Sequence, residues 1–187
     1  MRIGIFGGTF DPPHLGHWLS AVDAADVLAL DQVVWVPAAQ QPLKSGVTSA
    51  AAEHRLAMTR LAVVGERRFT VDPLELERGG ISYMVDTLRE YRTRQPSAAL
   101  FLLLGTDAAA LLPKWRDPEA IQALAEVVVL TRGGEVEVLP AGVRAVPTRR
   151  VDLSATEIRA RVADGRSIRG FVPDAVAEYI SAHGLYR

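Results

Sequence analysis

Residues 100 to 104 read LFLLL, a run with no polar side chain to turn toward water. A strand with one wet face alternates apolar and polar residues. A run that is apolar on both sides belongs inside a sheet covered on both faces, and such sheets are parallel. IGIF (3–6), VVWVP (33–37) and VVVLT (127–131) have the same character, FTVD (69–72) is a shorter case, and AVP (145–147) suits an edge strand. Helix-periodic segments lie between them. The first runs over about 16–28, and the second over about 50–64, with Leu56, Met58, Leu61 and Ala62 available for its apolar side. A third follows a cap at Ser82 and reaches about Arg94, where Pro96 stops it. Two more close the chain, about 155–163 opened by Ser154 and about 173–182 ending near Gly184. The alternation predicts an α/β fold, a doubly wound parallel sheet with helices on both faces and a small C-terminal helical part. No repeat, low-complexity tract or long linker divides the 187 residues, so a single domain over 1–187 is expected, with flexible connections at 40–49 and 133–142.

Composition removes several classes of function. A formal net charge of −1 gives no general attraction to nucleic acid or to an anionic membrane. Cysteine is absent, which excludes disulfides, thiolate zinc sites and a cysteine nucleophile. MRIGIF is too short to be a secretory h-region, and no apolar run reaches the length of a membrane span. A cytoplasmic protein is expected, and the sequence leaves a homo-oligomer open.

In a doubly wound sheet ligands sit beyond the carboxyl ends of the strands, where strand order reverses. The first loop at such an end is GGTFDPPHLGH (7–17). It is neither a Walker loop, lacking the Lys-Ser/Thr pair, nor a G-x-G-x-x-G fingerprint, since the glycines fall at 4, 7 and 8. Its position nonetheless suits an anion: glycines allow close backbone approach, and a helix N-terminus follows. His14 and His17, three apart in the first turn, point the same way. Gly16 between them leaves room for a phosphate. Two imidazoles there can donate hydrogen bonds to phosphate oxygens. Zinc binding lacks a third ligand nearby, so no metal-ligating residue is assigned.

This string resembles the signature of the HxGH nucleotidylyltransferases, and among them the bacterial nicotinate mononucleotide adenylyltransferases. The resemblance extends to PAAQQPLK (37–44), RLAM (55–58), ISYMVDTL (81–88), LLGTDA (103–108), PKW (113–115), LSATEIRAR (153–161) and VPDAVAEYISAHGLY (172–186). It implies a Rossmann-like fold and adenylyl transfer from ATP to nicotinate mononucleotide, giving nicotinate adenine dinucleotide and pyrophosphate in NAD biosynthesis. Mg²⁺ is implied as the ion carried with ATP.

The resemblance also distributes roles. His14 and His17 are the catalytic candidates. Gly7, Gly8, Thr9 and Phe10 belong to the phosphate loop. Ser154, Thr156 and Arg159 form a second clamp on the β- and γ-phosphates, and Lys44 matches a basic loop residue, although Leu43 stands where the family has histidine. Gly105 lets the nucleoside approach, and Asp107 accepts from the ribose hydroxyls. Ser82, Tyr83, Met84 and Trp115 face the mononucleotide, with Trp115 stacked on the pyridine. Met84 stands where the family has threonine. Trp18 and Trp35 read as core residues, and His54 and His183 receive no chemistry. Two alternatives are pantetheine-phosphate adenylyltransferase, which would lack the SYxxDT and KW segments, and a catalytically silent nucleotide-binding module on the same fold.

Overall fold

The computed structural model describes residues 1–40, 50–133, 139 and 141–187. Every apolar run expected to be a strand lies within or against one: β1 (Arg2–Gly8), β2 (Gln32–Pro37), β3 (Phe69–Val71), β4 (Ala99–Gly105), β5 (Glu126–Arg132) and β6 (Val143–Thr148). They form one sheet, all parallel, in the order β3-β2-β1-β4-β5-β6, with AVP in the edge strand β6. The order reverses between β1 and β4. There the paired register covers Arg2–Ile5 against Ala99–Leu102, so the last three residues of each strand have no partner in the other. Meanwhile β1 stays paired with β2 out to Gly8, and β4 with β5 out to Gly105. The two halves of the sheet therefore part at their carboxyl ends and leave a crevice at the switch point.

Alternation along the strands separates two cores. Ile3, Ile5, Leu100, Leu102, Val127 and Val129 face one side, under α4 (Met84–Arg94) and α6 (Pro118–Leu124). Phe6, Phe101, Leu103, Val128 and Leu130 face the other, where α1 (Leu15–Val27) packs through Ala21, Ala24 and Ala25. The small alanines let α1 lie close to the sheet. A third cluster joins α2 (Ala52–Ala62), α7 (Ala155–Ala163) and α8 (Asp174–Ala182) through Met58, Ile158, Val176 and Ile180. This is the expected C-terminal helical part, with α2 recruited from earlier in the chain.

Several expectations need correction. The buried side of α2 is Arg55, Met58, Thr59 and Ala62, not a stripe through Leu56 and Leu61, which are half-buried. The N-cap of α4 is Tyr83, because the hydroxyl of Ser82 is committed elsewhere. Three short helices were not anticipated: α3 (Leu74–Arg78), α5 (Thr106–Ala110) and α6, none long enough to establish a period. Pro118 at the first position of α6 was a legible start signal. Residues 41–49, including Leu43 and Lys44, and most of 133–142 lie outside the described residues. Among the described residues no helix is long and apolar enough to cross a membrane.

Candidate active site

The crevice is flanked by side chains from both faces of the sheet. On the α1 face the chain leaves β1 through Gly8 and Thr9 and turns at Phe10, whose φ of 50° lies in the left-handed region that a bulky residue seldom adopts. Packing holds it there. The Phe10 ring is 2% exposed and lies 5.0 Å from Trp35 and 5.7 Å from Phe6 between centroids. Phe10 thus faces the core, and a Cβ on Gly8 would sit 2.9 Å from its ring. The side chain expected beside the phosphates instead supports the loop from beneath.

That aromatic bed carries the histidine pair. His14 is the N-cap of α1 and His17 lies three residues on, with rings stacked at 3.7 Å and 27°. The His17 ring meets Phe10 edge-on at 5.3 Å and Phe6 at 6.1 Å. His14 donates its backbone N–H to His17 Nδ1 at 3.2 Å. An Nδ1 that accepts leaves the proton on Nε2, so His17 offers an Nε2–H donor. The room at Gly16 is taken by the partner imidazole: a Cβ there would lie 3.0 Å from the His14 ring. Gly16 therefore permits the stacked pair, a different use from the phosphate space expected of it.

The segment expected to form a second clamp reaches the same loop. Ser154 caps α7, accepting the Glu157 N–H at 3.1 Å. Arg159 donates to the Asp11 carbonyl at 2.8 Å and to Thr156 Oγ1 at 3.2 Å. The two strings far apart in sequence are neighbours in space.

On the opposite face, Tyr83, Met84 and Trp115 are all partly buried against the core under α4 and α6. Met84 reaches the loop directly, since a Cβ on Gly7 would lie 2.6 Å from its methyl group. Arg116 lies over the Tyr83 ring at 4.8 Å. Ser82 is the exception. Its hydroxyl accepts the Ala39 N–H at 2.9 Å and also bonds the buried Glu75 carboxyl, so it ties the end of β2 to the start of α4 instead of facing a ligand. At the end of β4, Gly105 and Asp107 are exposed, with open space where a Gly105 side chain would project. Asp107 lies in the first turn of α5 and has no hydrogen bond or ion pair among the described residues.

Two residues without an expected role hold this loop. Arg55 is 1% exposed, and its guanidinium donates to the carbonyls of Thr9 at 2.9 Å, Ala38 at 2.7 Å and Ala39 at 3.4 Å. Burial pushes it below the ordinary arginine value, and the attraction of Asp11 and Tyr186 opposes that shift. Asp11 is buried as well, its Oδ1 accepting from the Tyr186 hydroxyl at 2.7 Å and from the Ala50 N–H at 3.3 Å. The expected core residues stay core: Trp35 is fully buried and Trp18 packs against the same cluster. His54 and His183 gather around Tyr179, with His54 Nδ1 hydrogen-bonded to its hydroxyl at 3.0 Å.

A family model described as cytidylyltransferase-like matches residues 5–161. A protein of Gemmatimonas aurantiaca named "probable nicotinate-nucleotide adenylyltransferase" is 52% identical, covering 100% of this chain and 93% of its own length. One of the same name from Thermus thermophilus is 49% identical over 100% of both chains. The chain belongs to the nicotinate-nucleotide adenylyltransferase family. Solved structures agree on the fold of this family: a nicotinic acid mononucleotide adenylyltransferase of Plasmodium falciparum complexed with NaAD superposes with a TM-score of 0.79 at 18% identity, covering 99% of this chain and 97% of the other. The same enzyme complexed with APC gives 0.80 at 16% identity, covering 99% and 96%. For a nicotinate-nucleotide adenylyltransferase, the arrangement sets hydrogen-bond donors on one face of the crevice and a half-buried aromatic platform on the other.

Proposed function

We propose that this protein transfers the adenylyl group of ATP to nicotinate mononucleotide, releasing pyrophosphate and forming nicotinate adenine dinucleotide. The observation that carries the reading is the stacked His14–His17 pair at the start of α1, at the mouth of the parted strands. A 5′-phosphate oxygen of the mononucleotide attacks the α-phosphorus, and the bond from that phosphorus to the bridging oxygen of pyrophosphate breaks. No covalent enzyme intermediate is needed. The residues have to align two anions and stabilise negative charge as it moves to the leaving group. His17 Nε2–H, with His14 beside it, suits the α-phosphoryl oxygens. Ser154, Thr156 and the remaining guanidinium donors of Arg159 suit the departing phosphates. Asp107 at the end of β4 suits the ribose hydroxyls, and Trp115 with Tyr83 the pyridine ring.

Mg²⁺ enters this reading with ATP. Among the described residues no three His, Asp or Glu side chains converge, and the donors at the crevice are imidazole, guanidinium and hydroxyl groups. Such a set suits an ion held by phosphate oxygens and water, shielding charge on the triphosphate.

The test is pyrophosphate release from ATP with nicotinate mononucleotide, nicotinamide mononucleotide or 4′-phosphopantetheine as acceptor. We expect turnover with the nicotinate compound, favoured in kcat/KM over the amide by about tenfold or more. The first-turn N–H groups of α4 and the positive end of its dipole persist despite Met84, and they favour a carboxylate. Turnover with phosphopantetheine alone would install the rival acceptor, and nucleotide binding without turnover would favour the silent module.

A further inference from the structure

The loop that carries the histidines is held by residues outside the crevice. Its carbonyls at Thr9 and Asp11 each accept from a guanidinium, Arg55 of α2 and Arg159 of α7. The Asp11 carboxylate between them is gripped by Tyr186, 175 residues away, at 2.7 Å. Leu15, first residue of α1, donates to the Phe171 carbonyl at 2.9 Å. Each of these partners belongs to the third cluster or its connections, and none lies on either of the two sheet-covering cores. Tyr186 itself has φ of 65°, a left-handed backbone that turns its ring back toward the loop. Among the described residues its hydroxyl donates to Asp11 Oδ1 and lies 3.9 Å from the sulfur of Met58.

We propose that Tyr186 is a positioning residue for adenylyl transfer, acting through Asp11 to fix the backbone on which His14 and His17 are mounted. The inference rests on the proposed adenylyl-transfer reading, but part of its test does not. Among the described residues the Tyr186 hydroxyl bonds the loop-holding Asp11 and none of the groups expected to meet ATP or the mononucleotide, so its route to catalysis is where it holds the loop. Burial, together with the bond to Asp11, pushes the phenol well above its ordinary value. It therefore remains a donor across the working range.

Tyr186→Phe keeps the ring and removes the hydroxyl. Three readouts decide the matter. Amide hydrogen exchange at His14, whose N–H bonds His17 Nδ1, should accelerate by about tenfold while the β1 amides of Ile3 and Ile5 keep their protection. The kcat should fall by about tenfold, with KM for ATP within about twofold, because ground-state contacts are untouched. In a His17→Ala background the same substitution should lower kcat by only about twofold, because one of the two positioned imidazoles is gone. Unchanged exchange at His14, or equal loss of kcat in both backgrounds, would overturn the proposal. Uniform acceleration of exchange through β1 would do so as well, because it would make Tyr186 a general stabiliser. Should the unmodified protein make no dinucleotide product, the functional reading fails, and the exchange measurement still decides whether Tyr186 positions the loop.

Discussion

A backbone amide donated to Nδ1 leaves an imidazole with only Nε2 to carry a proton, and this is how His17 is held. A donor fixed before the reaction starts costs no reorganisation as charge develops. His17→Ala should therefore lower kcat by roughly 10²–10³ with little change in KM, the typical loss for one preorganised donor. Steady-state kinetics on the folded variant check this, and a near-normal kcat would remove His17 from the mechanism. Trp115 makes a different claim. It is half-buried against the core beside Tyr83 and Met84, so one side of the indole packs while the rest remains available. Trp115→Ala should weaken the mononucleotide more than ATP, with about 0.5–1.5 kcal/mol of the loss due to stacking beyond buried area. A lowered Tm with an unaltered acceptor KM would make Trp115 a packing residue alone. The nearness of His14 to His17 and the partial exposure of Trp115 were legible in GGTFDPPHLGH and PKW. The purpose of the glycines was not, because Gly7, Gly8 and Gly16 make room for Met84, Phe10 and His14, contacts that only the fold creates.

Between elements, the tie joining α3, α4 and the end of β2 is built on a buried acid. Glu75 is 2% exposed, accepts from Thr87 Oγ1 at 2.6 Å and bonds Ser82, which in turn accepts the Ala39 N–H. Burial raises its value above the ordinary 4.5, against the lowering effect of Thr87, Ser82 and Arg78. The folded state thus holds this proton more tightly than the unfolded chain. Its contribution to stability is present below the ordinary carboxylate value and is lost as pH rises from there through the raised folded value. Glu75→Gln stays neutral and can still accept from Thr87. In urea titrations from pH 4 to 8, taken as an approximate span around the ordinary carboxylate range, the variant should gain on the wild type as pH rises. Parallel curves would show that Glu75 ionises in the fold without penalty. The parallel strands were legible from apolar runs, as was α7 from its Ser154 cap, because those signals are local. The α3 helix was not, since five residues show no period and one of its two buried residues is a carboxylate.

Across the whole molecule the sheet supplies the crevice, while the α2–α7–α8 cluster supplies the restraints on its loop. Arg55 is the largest single stake in that arrangement, a fully buried cation satisfying carbonyls from two loops and facing a buried carboxylate. Removing one member of such a pair leaves the other charge stranded, so Arg55→Ala should cost about 3–5 kcal/mol in chemical denaturation. A loss below about 1 kcal/mol, the scale of an exposed ion pair, would mean that water replaces the guanidinium. A signal for Arg55 did exist: with Met58, Thr59 and Ala62 it completes an i, i+3, i+4, i+7 face on α2. The pairing of Asp11 with Tyr186 had none, because nothing local links positions so far apart.

That separation sets an order of events during synthesis. Strands β1 to β4 can emerge and pair with one another while the later helices are still being made, since the β1–β2, β2–β3 and β1–β4 ladders need nothing beyond Gly105. The histidine loop cannot be locked until Tyr186 has left the ribosome and folded back onto Asp11. Domains generally organise from the N-terminus as they are synthesised. A nascent chain stalled before the α7–α8 region would then carry a formed sheet and both histidines, with their loop held by Arg55 and the Ala50 N–H but not yet by Arg159 or Tyr186.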